Sequence, residues 1–221
     1  MTLWAKAYNG PANLQDSAVS VSVNGNGEVF VTGWSLSSTN AEDIVTIKYN
    51  PNTGDTLWVK RFSGAGQDKP TAMTCDNNAV YVTGWTFPGT NRDIVTIKYN
   101  AATGDTTWVK RYNGSNNGGD YGFAIASDAS GNVYVAGRSD VSGQGQKLTV
   151  LKYDASGNVP SGWPVIYNGP LSTTFDEGHA ITVDAAGNVY VTGQAGTTGA
   201  DDFLTLKINS AGSGYVLPFI N

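Results

Sequence analysis

Apolar and polar residues alternate in short runs along nearly the whole chain, at the two-residue period of half-buried strands. The runs fall into four types. The first is poor in bulky residues: AVSVSV (18–23), PTAMTC (70–75), GFAIAS (122–127) and GHAITV (178–183). The second reads EVFVTG, AVYVTG, NVYVAG and NVYVTG, ending at Gly33, Gly84, Gly137 and Gly193. The third is IVTIKY (44–49 and 94–99), LTVLKY (148–153) and FLTLKI (203–208). The fourth is WVKRF (58–62), WVKRY (108–112), WPVIY (163–167) and YVLPF (215–219). β-Branched and aromatic residues dominate most runs, and none has helical spacing.

The runs recur in one fixed order, four times over. Between Asp43–Gly64 and Asp93–Gly114, 17 of 22 positions are identical. Self-similarity near 50 residues predicts stacked supersecondary units, each needing its neighbours to bury its faces. The connections NGNGE, DASGN and DAAGN place Gly where a short hairpin needs a positive φ. Their Asx residues have the spacing of turn caps. They lack the acidic density and terminal Glu of a calcium loop, so no metal site is expected. Four antiparallel strands per unit predict an all-β propeller of four blades, each of about 50–55 residues, in a single domain over 1–221. The units fall near 11–63, 64–113, 114–168 and 169–221. WAKAY (4–8) is a further fourth-type run with no unit before it, so 3–9 is available for ring closure. The alternatives are a ring shared by two copies, or an incomplete piece. In a propeller the innermost strand crowds the axis, and the column Ser20, Ala72, Ala124 and Ala180 suits that place.

Composition narrows the function. The net charge is −5 with no basic cluster beyond Lys-Arg pairs, so nucleic acid is not expected as a partner. No apolar run is long enough to span a membrane as a helix. The opening MTLWAKAYNG lacks a secretory leader's charged-then-apolar order and reads as a repeat strand, so the numbered chain is expected to be a mature or excised piece. Cys75 is the single cysteine, which excludes an intramolecular disulfide. It shares a small or apolar column with Val23, Ser127 and Val183, as a buried, inert thiol would.

The combination D-A-x-G-N-V-Y-V-x-G, a strand ending K-Y-N or K-Y-D, and T-G-D-x-x-W resembles the bacterial β-propeller repeat called the SBBP repeat. The resemblance covers nearly the whole chain. It implies a piece of a secreted or cell-surface protein with a binding or scaffolding role rather than an enzyme. The family is named for seven blades, whereas four units are present here. T-G-D-x-x-W is also similar to the tryptophan-docking repeat of quinoprotein dehydrogenases. Nothing in the sequence matches their calcium site or quinone pocket, so no cofactor is expected.

Three sets of residues are candidates for chemistry or locking. Trp34, Trp85, Arg138 and Gln194 follow the second-strand glycine, and their variation at a strand tip suits a ligand-contacting face. The alternative is packing against the next blade. Asp16, Asp68, Asp120 and Asp176 precede the first strand of every unit, and Lys48, Lys98, Lys152 and Lys207 share one third-strand position. An ion pair or hydrogen-bond network within each blade is the expected use of these two columns; the alternative is that the four Asp ring the channel mouth and hold a cation. His179 is the single histidine and has no recurring Ser or Cys partner, so a catalytic triad is not expected. The reading is a non-catalytic module contacting carbohydrate or protein at one face, as a monomer or as a homodimer sharing a ring. The alternatives are a propeller hydrolase or lyase acting on glycans, which would need two carboxylates across one cleft, and a purely structural array.

Overall fold

The computed structural model describes residues 3–39, 41–169, 175–196 and 200–213. Those residues are all-β, in four antiparallel sheets that follow chain order. The first sheet is β1 (Asp16–Val23), β2 (Val29–Leu36), β3 (Glu42–Tyr49) and β4 (Thr56–Phe62). The second is β5 (Asp68–Cys75), β6 (Ala79–Thr86), β7 (Asp93–Asn100) and β8 (Thr106–Tyr112). The third is β9 (Tyr121–Ser127), β10 (Val133–Val141), β11 (Gly145–Tyr153) and β12 (Val165–Ile166). The fourth shows β13 (Asp176–Val183), β14 (Val189–Gly196) and β15 (Asp201–Ile208). The expected strand at 215–219 lies outside the described residues.

Each sheet packs on the next through its first strand: β1 on β5, β5 on β9, and β9 on β13. This is the blade order of a β-propeller, with the small-residue strands innermost. Among the described residues, no comparable packing joins the fourth sheet to the first.

The repeated motifs now have physical reasons. In DASGN the Asp128 carboxylate accepts the backbone N–H groups of Ser130 and Asn132, at 2.9 and 3.0 Å. It also accepts the Asn132 amide at 2.7 Å and the Tyr134 hydroxyl at 3.0 Å. Gly131 takes φ +76°, where a Cβ would be strained. Asp184, Asn188, Gly187 and Tyr190 repeat the arrangement. The Asn188 side chain and backbone amides hold the Asp184 carboxyl below its ordinary range. One clasp thus uses the Asp, Gly and Asn that both turns share, as the turn-cap reading expected.

The second-strand glycine is explained by a bulge. In each first strand the register slips by one residue, at Val19, Thr71, Phe123 and His179. The slip presses a backbone carbonyl onto the facing glycine. A Cβ on Gly33, Gly84, Gly137 or Gly193 would collide with the carbonyl oxygen of Ser17, Lys69, Tyr121 or Glu177 respectively.

Tryptophan joins the blades. Trp58, on the first sheet, lies 5.9 Å from the Phe30 ring of its own sheet and 6.4 Å from Tyr99 of the next. Its Nε1 donates to the Ala101 carbonyl at 3.3 Å, and Trp108 Nε1 donates likewise to Ala155 at 3.3 Å. Trp4 repeats the arrangement on the first sheet itself. It meets Tyr49 at 6.0 Å and donates to the Pro51 carbonyl at 2.9 Å. Lys6–Asp55 echoes Lys60–Asp105 in the same way, at 3.1 and 3.2 Å.

Candidate functional site

The Asp and Lys columns do not pair with each other. Strand register puts Asp16 opposite Ser35, which itself faces Asp43, whereas Lys48 lies opposite Phe30, which faces Ser22. Five residues of extended strand, about 17 Å, separate the two ends. The expected intrablade ion pair is therefore replaced by two separate devices.

At one end the Asp column clasps the loop that enters its own sheet. Asp16 accepts the Gly10 amide at 2.9 Å, and Asp120 accepts the amides of Gly114 and Asp140 at 2.8 and 2.9 Å. Asp68 accepts from the Gly64 amide and the Thr86 hydroxyl. Asp176 accepts the Gly196 amide at 3.0 Å and the Lys147 ammonium at 2.8 Å. Burial pushes Asp120 up to about 6, and the charges of Asp93 and Asp140 add to the rise, against the lowering by its two amides. At the other end the Lys column reaches across to the following sheet. Lys48, Lys98 and Lys152 donate to the carbonyls of Ala101, Ala155 and Ser210, at 3.0, 2.9 and 3.2 Å. Lys207 lies over the Tyr190 ring at 5.3 Å. Lys48 also pairs with Glu28 at 2.6 Å.

The strand-tip column Trp34, Trp85, Arg138 and Gln194 points toward the first strand of the next sheet. The Lys69 ammonium sits over the Trp34 ring at 4.9 Å and pairs with Glu42 at 2.7 Å. Trp85 meets Tyr121 edge-on at 6.4 Å. Arg138 forms an ion pair with Glu177. Gln194 has no following sheet to meet among the described residues. The column thus carries interblade contacts at three of its four positions.

A wider cluster builds on this column at sheets two to four. The Arg92 guanidinium lies over Trp85 at 4.5 Å and donates to the Tyr121 hydroxyl at 2.9 Å. Arg138 also lies over the Tyr121 ring, at 4.7 Å. Tyr121 stacks on Phe123 at 6.1 Å and an interplanar angle of 12°. Phe123 meets His179 at 5.7 Å, and His179 Nε2 lies 3.6 Å from Glu177 Oε2. Phe175, 54% exposed, lies 5.8 Å from Arg138. The first-strand bulge positions Phe123 and His179: each is the extra residue that the register slip pushes out. Sequence reasoning did not single out Arg92, Tyr121 and Phe123. The signal for Phe123 was its column with Val19, Thr71 and His179, which is the bulge column.

In chemical terms the cluster offers aromatic faces, two guanidinium groups and one carboxylate. Among the described residues no group of His, Cys, Asp and Glu is arranged to hold a metal ion. Cys75 is half-buried beside the Ser22 hydroxyl at 3.0 Å, and burial pushes its thiol pKa up, away from the reactive thiolate.

No family model and no curated protein matches the chain. Solved structures similar to it include TolB from Acinetobacter baumannii, 16% identical, with a TM-score of 0.46 over 87% of this chain and 40% of that one. A quinohemoprotein alcohol dehydrogenase from Comamonas testosteroni is 12% identical, with a TM-score of 0.49 over 86% of this chain and 33% of that one. BamB from Moraxella catarrhalis is 12% identical, with a TM-score of 0.41 over 90% of this chain and 63% of that one. The chain thus spans between one third and just under two thirds of the length of these structures.

Proposed function

We propose that this propeller is a non-catalytic binding module that takes a carbohydrate or protein ligand on the face built around Tyr121, Phe123, Arg138 and His179. The observation that carries the reading is the aromatic and guanidinium cluster at the inner ends of sheets three and four. There Phe175 and His179, 54% and 49% exposed, stand beside rings already stacked on one another. Rings held rigidly in this way lose little entropy when a sugar face or an apolar side chain is laid on them. Glu177, held between Arg138 and His179, supplies a fixed acceptor. The resemblance to the SBBP repeat supports a secreted or cell-surface setting for such a module.

Trp34 and Trp85 belong to this reading as supports. Their rings are engaged by Lys69 and by Arg92 with Tyr121. Glycan-array and pull-down profiles of the parent, Phe123→Ala, His179→Ala, Trp34→Ala and Trp85→Ala test it. Removal of Phe123 or His179 is expected to weaken the captured ligand by at least about tenfold with the melting curve retained. Unchanged profiles for all four variants would remove this face from consideration.

A further inference from the structure

The three junctions between sheets are built alike. At each one an aromatic residue of the second strand and an aliphatic residue of the third leave one sheet to pack on the next. The pairs are Phe30 with Ile44, Tyr81 with Ile94, and Tyr134 with Leu148, and none of the six is more than 1% exposed. The receiving face always presents a first-strand apolar residue above the aliphatic residues of its second and third strands. In the second and third sheets these first-strand residues are Met73 and Ile125, both buried.

Both ends of the array break off in the middle of this pattern. The fourth sheet carries the next outgoing pair, Tyr190 and Phe203, and Phe203 is 84% exposed. The first sheet carries a receiving face that is only partly covered: Trp4 and Tyr8 pack on Val45 and Ile47, whereas the first strand is left open. Val21, the counterpart of Met73, is 65% exposed. With Val29, Val31, Val45 and Ile47 it lines a cleft of about 480 Å³, with Trp4 at its rim. Trp4 already fills on this face the place that Trp58 fills on the second sheet. Residues 4–8 therefore act as the outer strand of a blade whose three inner strands come from elsewhere.

We infer that the occupant of this cleft is the fourth sheet of a second copy, with Tyr190 and Phe203 of one chain seated on Val21, Val29 and Val31 of the other. The junction continues the internal register, so it is head-to-tail: one outgoing and one receiving face per chain. Two copies joined at both faces close a ring of eight blades. Within one chain no comparable packing joins the fourth sheet to the first among the described residues. The inference is independent of the ligand face, since Phe123 and His179 take no part in it.

Light scattering coupled to size exclusion on the 221-residue chain tests this. The expected mass is twice 23.2 kDa. Phe203→Glu and Val21→Glu, each on a surface open in the single chain, are expected to return it to 23.2 kDa with the strand signal in circular dichroism retained. An equimolar mixture of the two variants is expected to recover the dimer, because one of its two junctions is then wild type on both sides. That recovery separates a head-to-tail contact from a symmetric one. A parent mass of 23.2 kDa at the highest soluble concentration would overturn the inference. Hydrogen exchange on that monomer would then identify the true occupant. Protection at both Val21 and Phe203 would mean closure within one chain, and exchange at both would mean faces made for flanking repeats. A dimer unaffected by both variants would overturn it equally.

Discussion

The junction between the second and third sheets and the junction between the third and fourth use one architecture with opposite electrostatics. At the first, Asp93 starts the third strand and adds its charge to that of Asp120 on the neighbouring blade, so acid faces acid. At the second, Lys147 stands at the Asp93 position and its ammonium reaches Asp176 at 2.8 Å, with both side chains fully buried. Substitution on the outer strand accompanies the swap. Arg111, which lowers the Asp93 pKa against the effect of burial, sits opposite Val95, whereas Ile166 sits opposite the corresponding Thr149. The fold accepts either sign because the clasping Asp is already held by backbone amides at both junctions. What differs is how each junction responds to mutation and to pH.

The largest expected effect is at the buried pair. Lys147→Met leaves Asp176 inside the protein without its cation and is expected to cost about 3–5 kcal/mol, read from urea unfolding. A loss below about 1 kcal/mol would mean that the amides alone satisfy Asp176 and that the two junctions are electrostatically equivalent.

The acid-facing junction predicts a pH effect next in size. Asp120 titrates near 6 in the fold, against about 3.9 in an unfolded chain, so the folded state holds this proton more tightly. Its contribution is fully favourable below about pH 4, falls as pH rises from about 4 to 6, and is level above that, a loss of order 3 kcal/mol. Asp120→Asn should flatten this part of the stability–pH curve even though it weakens the loop clasp. A slope that persists unchanged in the variant would assign the titration to another group.

Steric demands should be equal where charges are not. Gly137→Ala and Gly193→Ala each drive a Cβ into a facing carbonyl oxygen. Each is expected to cost about 1–3 kcal/mol by thermal unfolding, to a similar degree. A large gap between them would show that the fourth sheet, not the bulge, sets the cost. The smallest effect separates the two docking tryptophans. Trp108 Nε1 donates to Ala155, whereas buried Trp163 Nε1 has no acceptor among the described residues. Trp108→Phe should lose about 1 kcal/mol, and Trp163→Phe should lose nothing through its indole nitrogen. Equal losses would mean that ring size, rather than the hydrogen bond, matters at both junctions.

Most of the fold was legible in the sequence because strand period, turn chemistry and repeat length all pointed the same way. The four strand types, the turn clasp at Asp128 and the small-residue inner strand could be read directly. The Asp–Lys pairing failed because a shared column says nothing about position along the strand. Counting register through the tight turns would have placed Asp16 beside Asp43 and far from Lys48. The cluster around Tyr121 was only half visible. Arg138 and His179 stood out as departures from their columns, but their convergence depends on a bulge that turns Phe123 and His179 out of the regular alternation. The outcome at the ends of the array could not be read at all, since a repeat specifies its neighbours and not their number.

The tryptophan handed from one blade to the next turn has an evolutionary consequence. Since Trp4, Trp58 and Trp108 dock on equivalent turns through the same two contacts, inserting or deleting a whole unit leaves the tryptophan docking at every remaining seam intact. A gene encoding such a protein can lengthen or shorten by recombination between its own near-identical segments without rebuilding this docking.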